Sequence, residues 1–137
     1  MSRPYISEKI RQRVAKRAEN RYEYCRVFDR YSFLSFHIEH IISLKHGGSS
    51  EEENLAYSCP IYNVNKGSDI ATYVGDNPDP VRFFHPRKDD WDDHFDIASS
   101  GLISAKTEIG QATIEIFDLN HPDSIIEMRI LIQNQIF

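Results

Sequence analysis

"HIEHIISLKHGG", residues 37–48, places His37, Glu39 and His40 within an apolar, β-branched run and then breaks it at a glycine pair. Isoleucines and aromatics suit a pleated strand, and Gly47-Gly48 with Ser49-Ser50 supplies the backbone freedom of a turn. The stretch predicts a strand followed by a loop. Successive strand residues face opposite ways, so Glu39 and His40 can serve one site only if the strand end twists or bulges. Toward the C-terminus, Asn54-Leu55 precedes Cys59 and Pro60, and Pro60 suits the first turn of a short helix running to about Ile70. Toward the N-terminus, Ser7 is expected to cap a helix over residues 7–21. Ile10, Val14 and Ala18 recur there on one stripe, with arginine and lysine on the other faces.

Net charge is −5, which by itself argues against a polyanionic partner. The average hides an asymmetry: residues 1–30 carry nine lysines and arginines against four acids, leaving the rest of the chain strongly acidic. A local basic face can hold phosphates while the remaining surface keeps the protein soluble. The 137 residues and 40% apolar content suit one domain with a real core. No apolar run approaches the roughly 20 residues that span a bilayer, and the N-terminus lacks a signal-peptide pattern, so a cytoplasmic protein with no membrane partner is expected. Cys25 and Cys59 are the two cysteines, too few for a disulfide scaffold.

Beyond a Pro/Asp/Gly-rich break at "YVGDNPDPVR", the segment "RFFHPRKDDWDDHFDIASSGLISAK" alternates aromatic and polar residues around Ser99-Ser100-Gly101 and predicts a β-hairpin. Trp91 and Phe95, one helical turn apart, are core candidates, and the aspartates between them are expected to be solvated. Thr107 is placed to cap a helix from Glu108 to about Asp118. Pro122 and Asp123 open a last helix, with Ile125, Ile126, Ile130 and Leu131 expected on its buried side.

The chemistry concentrates in His37-x-Glu39-His40, Gly47-Gly48, Asn54-Leu55 and Cys59-x-x-Tyr62-Asn63-x-x-Lys66-Gly67. This pattern resembles the HNH nuclease signature. Nearly the whole chain, with its basic first helix and the tail "FFHPRKDDWDDHF" and "TEIGQAT", resembles small bacterial HNH endonucleases of the cyanobacterial type. The resemblance implies an α+β fold: a ββα-metal (HNH, or His-Me finger) core over residues 22–70, a basic N-terminal helix over 7–21, and a C-terminal extension over 81–137 holding a hairpin and helices, all in a single domain over 1–137. It also implies a metal-dependent endonuclease acting on nucleic acid, with DNA expected over RNA.

The site residues follow from the same resemblance. His40 would act as general base and Asn54 would hydrogen-bond near its ring to fix it. Glu39 and Asn63 would bind the metal, with His37 assisting from the same strand face. Oxygen donors of this kind suit Mg²⁺ or Mn²⁺. Lys66, together with Arg11, Arg13, Lys16, Arg17 and Arg21 on the first helix, would contact phosphates. A phosphodiester repels its nucleophile, so a base to deprotonate water and a cation near the leaving oxygen are the two parts that such hydrolysis requires.

In one respect the chain departs from these relatives. They carry two Cys-x-x-Cys knuckles around a structural zinc, whereas Tyr22 and Tyr62 here replace one cysteine of each pair and leave Cys25 and Cys59. Phenol is a poor zinc ligand near neutral pH, so a structural zinc is expected to be absent, with Tyr22 and Tyr62 packing against each other and the thiols instead. A non-catalytic binding or interaction module is the alternative that this loss raises. His46, His85, His94 and His121 are expected to be surface or structural residues.

Overall fold

The computed structural model describes residues 6–31 and 36–136. The chain forms two compact units, residues 1–69 and 70–137, and mixes helices with three two-stranded antiparallel sheets among the described residues, an α+β architecture. No helix among these residues is long and apolar enough to cross a membrane.

In the first unit, helix α1 spans Glu8–Arg17 and is capped by Ser7, whose hydroxyl accepts the Ile10 N–H at 3.2 Å. It stops four residues before the expected end at Arg21. Glu19 and Asn20 both take left-handed backbone angles (φ 56° and 58°), which a helix cannot continue, and Arg21 instead forms a β-bridge to Phe28. Val14 is fully buried beneath the helix.

Strand β1 (His37–His40) pairs with β2 (Leu55–Ser58) in a continuous register from His37↔Ser58 to His40↔Leu55. The expected bulge is therefore not found in this pairing. The strand simply ends after His40, and short 3₁₀ turns at Leu44–His46 and Glu52–Asn54 build the loop back to β2. Helix α2 (Pro60–Lys66) follows at once, with Pro60 in its first turn as expected. It ends short of Ile70 because Gly67 takes a positive φ of 54°.

Glu23 stitches the segment after α1 to β2. Its N–H donates to the Tyr57 carbonyl at 2.8 Å, and its carboxylate accepts the Tyr57 N–H at 2.9 Å. Arg17 reinforces the join, donating to the Glu52 and Leu55 carbonyls at 2.8 and 2.6 Å. Glu23→Ala is expected to cost about 1–3 kcal/mol, because it leaves the N–H of buried Tyr57 unpaired. A urea denaturation midpoint reads this loss directly.

The second unit contains a minimal antiparallel pair of β3 (Ala71–Thr72) and β4 (Val81–Arg82), the latter at the end of the stretch expected to be a Pro/Asp/Gly-rich break. A one-turn helix α3 (Trp91–His94) leads into the hairpin of β5 (Phe95–Ile97) and β6 (Ile103–Ala105). Gly101 turns that hairpin at φ 93°, and a side chain there would strike the Ile125 carbonyl. Trp91 and Phe95 are buried with ring centroids 4.9 Å apart, as their spacing predicted. Helix α4 (Glu108–Phe117) is capped by Thr107, which accepts the Gly110 N–H at 3.1 Å.

The last helix, α5 (Pro122–Gln133), corrects the expected apolar face. Met128 and Leu131 are its buried residues, while Ile126 and Ile130 are each 51% exposed. Three-residue spacing, rather than the densest isoleucine stripe, chose the buried line.

Candidate functional site

The first unit brings Glu39, His40, Asn54, Asn63 and Lys66 onto β1, the loop after it and α2. Glu39 lies in the middle of the β1–β2 pairing with only 2% of its surface exposed. Its Oε1 accepts the Tyr24 hydroxyl at 3.1 Å and faces the Lys66 ammonium at 3.4 Å. Its Oε2 is buried and accepts no hydrogen bond. Buried polar atoms are nearly always paired, so this oxygen marks an unmet demand for a donor or a cation.

Burial lifts the Glu39 carboxyl to about 7, outweighing the Lys66 charge and the hydrogen bonds from Tyr24, Lys66 and Ser58, which pull the other way. Burial also pushes the Tyr24 phenol well above its ordinary value, and the neighbouring Glu39 adds to the effect. Tyr24 therefore stays protonated and donates. Neither Tyr24 nor Ser58 was legible as a site residue, because nothing in "YEYC" or "LAYS" signals a carboxylate partner.

Lys66 corrects an expectation. Only 2% exposed, it reaches back from α2 to Glu39 and donates to the His40 carbonyl at 3.3 Å. An ammonium so placed pairs with protein groups rather than with a surface phosphate. Asn63 is half-buried one turn earlier on α2, and positions three apart share a helix face. His37, half-buried, shares the Glu39 side of β1 by strand alternation.

His40 is the last residue of β1, where the chain turns into the loop. Its Nε2 lies 3.0 Å from the Ser50 hydroxyl, so the loop that ends in Gly-Gly-Ser-Ser returns to hold the ring. Asn54 acts one step removed from the role expected of it. Its Oδ1 accepts the Ile42 N–H at 2.9 Å, and its Nδ2 donates to the Ile42 and Ser49 carbonyls at 2.8 and 2.7 Å. It clamps the loop that carries Ser50 instead of bonding the imidazole. Gly48 completes the clamp: a β-carbon there would fall 1.7 Å from the Ile42 carbonyl oxygen and 2.8 Å from Asn54 Nδ2.

The basic helix is largely turned to structural use. Arg13 pairs with Glu52 at 2.9 Å, Arg17 holds the Glu52 and Leu55 carbonyls, and Arg11 donates to the Ile6 carbonyl at 3.2 Å. Burial lowers the Arg17 guanidinium, against the pull of Glu52 and Glu53. Arg21 stacks on Phe28, its carbon centre 4.2 Å from the ring centroid. Lys16 is exposed.

Tyr22, Cys25, Cys59 and Tyr62, the positions compared above with the family's cysteine pairs, are all buried. Tyr22 finds an aromatic neighbour in Tyr57, with centroids 5.8 Å apart and planes at 28°. The turn between Tyr22 and Val27 is closed by its own backbone, with Tyr22 N–H to Val27 O at 2.8 Å and Arg26 N–H to Tyr22 O at 2.7 Å. The Glu23 bonds to Tyr57 tie this turn to β2.

Among the described residues, no three His, Cys, Asp or Glu side chains are grouped to hold a metal. One carboxylate with an unpartnered oxygen, plus an amide on the adjoining helix, still fits a hard cation of the Mg²⁺ type, which commonly takes one or two protein oxygens and completes its shell with water and phosphate. Residues 23–69 match the family described as HNH endonuclease, and that span contains every residue of the constellation. No curated protein and no solved structure matches the chain.

Proposed function

We propose that the chain, whose residues 23–69 match the HNH endonuclease family, hydrolyses phosphodiester bonds of DNA with the help of a divalent cation. The observation that carries this reading is the buried Glu39 carboxylate. One of its oxygens lacks a partner, and it lies against the helix that bears Asn63 and next in sequence to a histidine held by its own loop. Glu39 and Asn63 would hold the ion, with His37 as a neighbour, in a ββα-metal arrangement. A divalent cation bound there supplies positive charge to the phosphate and its leaving oxygen.

The chain's own residues do the rest. Ser50 holds His40 at Nε2 and Asn54 holds the loop of Ser50, so the neutral imidazole is positioned to accept a proton from attacking water. Tyr24 donates to Glu39 and keeps its carboxylate oriented. Lys66 neutralises that carboxylate when no other cation does, an internal charge partner for a group that burial would otherwise protonate.

Nicking of supercoiled plasmid tests the proposal. Relaxed circles are expected with Mg²⁺ or Mn²⁺ and none after chelation. Tight DNA binding without cleavage under any divalent ion would instead support a non-catalytic module.

A further inference from the structure

Lys66 and Glu39 meet where water does not reach, and the meeting uses only half of the carboxylate. The Lys66 ammonium lies 3.4 Å from Glu39 Oε1, and both side chains are 2% exposed. The Tyr24 hydroxyl donates to the same oxygen at 3.1 Å. Oε2 is also buried and has no hydrogen-bond partner among the described residues. Two donors share one oxygen, and the other is left for something else.

The lysine is fixed from two directions. It is the last residue of α2, and its ammonium also donates at 3.3 Å to the carbonyl of His40, the last residue of β1. One side chain thus ties the end of the helix to the end of the strand and sets a positive charge against the carboxylate. That charge has a consequence for a second cation. An ion on Oε2 shares its carboxylate with an ammonium already facing Oε1, and a buried pair of charges is screened little by salt or water. Glu39 and Lys66 together are neutral, and the amide of Asn63 adds no charge. The number of charged ligands is a main control on how tightly a hard cation is held.

We propose that Lys66 sets the affinity of the cation site: a tethered positive charge that balances Glu39 when no ion is bound and keeps the hold on a bound ion weak. This rests on the nuclease reading and names what limits metal loading of its site.

The test is a manganese titration without nucleic acid, read both as free ion by electron paramagnetic resonance and as the manganese-induced rise in thermal midpoint. It compares wild type, Lys66→Met, Lys66→Gln and Lys66→Arg. The two neutral variants are expected to bind manganese about tenfold more tightly than wild type, the scale of removing one positive charge beside a divalent ion, and to gain more stability from it. Lys66→Arg keeps the charge and is expected to stay near wild type. Loss of a residue needed only for packing would weaken binding, so the direction of the change separates the two roles. Lys66→Gln, whose amide can still donate to the His40 carbonyl, covers the case in which Lys66→Met does not fold in chelator, and manganese is expected to restore such a fold. If wild type binds manganese and the neutral variants bind it no more tightly, or stay unfolded at saturating manganese, this inference alone falls. If none of the four proteins binds it, the metal-dependent nuclease reading falls as well.

Discussion

Lys66→Met is expected to destabilise the protein by about 1–2 kcal/mol at about pH 8, because Glu39 then loses its counter-charge, and protonating a carboxyl that titrates at about 7 costs about 1.4 kcal/mol one pH unit higher. Both side chains are 2% exposed, so water cannot stand in for the missing ammonium. Glu39→Gln in the same background removes the stranded charge and keeps an oxygen for the Tyr24 hydroxyl. The double variant is therefore expected to recover most of the loss, as replaced buried pairs commonly do. The pH dependence follows from burial. The Glu39 carboxyl titrates at about 7 in the fold against 4.5 in an open chain, so its contribution is full below about 4.5 and is lost as pH rises through about 7. The Lys66→Met defect should shrink on acidification toward about pH 7, below which Glu39 is protonated in the fold with or without Lys66, and Glu39→Gln should flatten the wild-type pH profile between about 4.5 and 7. Urea unfolding at several pH values measures both. A Lys66→Met variant as stable as wild type at about pH 8 would contradict the ion pair.

His40→Ala is expected to cut plasmid nicking by about 10²- to 10⁴-fold, the usual contribution of a positioned general base. Stability should change little, since the ring is only half-buried at the end of the strand. Initial rates of nicking, alongside an unchanged thermal midpoint, separate a chemical loss from a folding loss. Equal rates for wild type and variant would remove His40 from the reaction.

The order Glu39-His40, Asn54, Asn63 was legible because the motif is contiguous in sequence and the ββα topology follows from it: an apolar strand, a Gly-Gly turn, a second strand and a Pro-initiated helix. The helix caps at Ser7 and Thr107 were legible for the same local reason, as was the pairing of Trp91 with Phe95. What the sequence hid is long-range. Lys66 looked like a surface cation because its neighbours in sequence are polar, yet its alkyl chain lets the ammonium reach a carboxylate on β1. Asn54 was placed near the histidine, but three backbone groups of the loop claim its amide first. The arginines of α1 read as a phosphate face because nothing local shows that the Glu52 carboxylate and the Glu52 and Leu55 carbonyls lie within their reach. On α5, isoleucine content misled: Ile126 and Ile130 stand outward, and Met128 and Leu131 carry the packing.

Manganese binding followed by electron paramagnetic resonance, in wild type, Glu39→Gln and Asn63→Ala, bears most directly on whether Glu39 and Asn63 form an ion-binding pair beside His40. Wild type is expected to bind the ion, and either substitution to release or strongly weaken it while both variants remain folded. Manganese held equally well by all three proteins would contradict it.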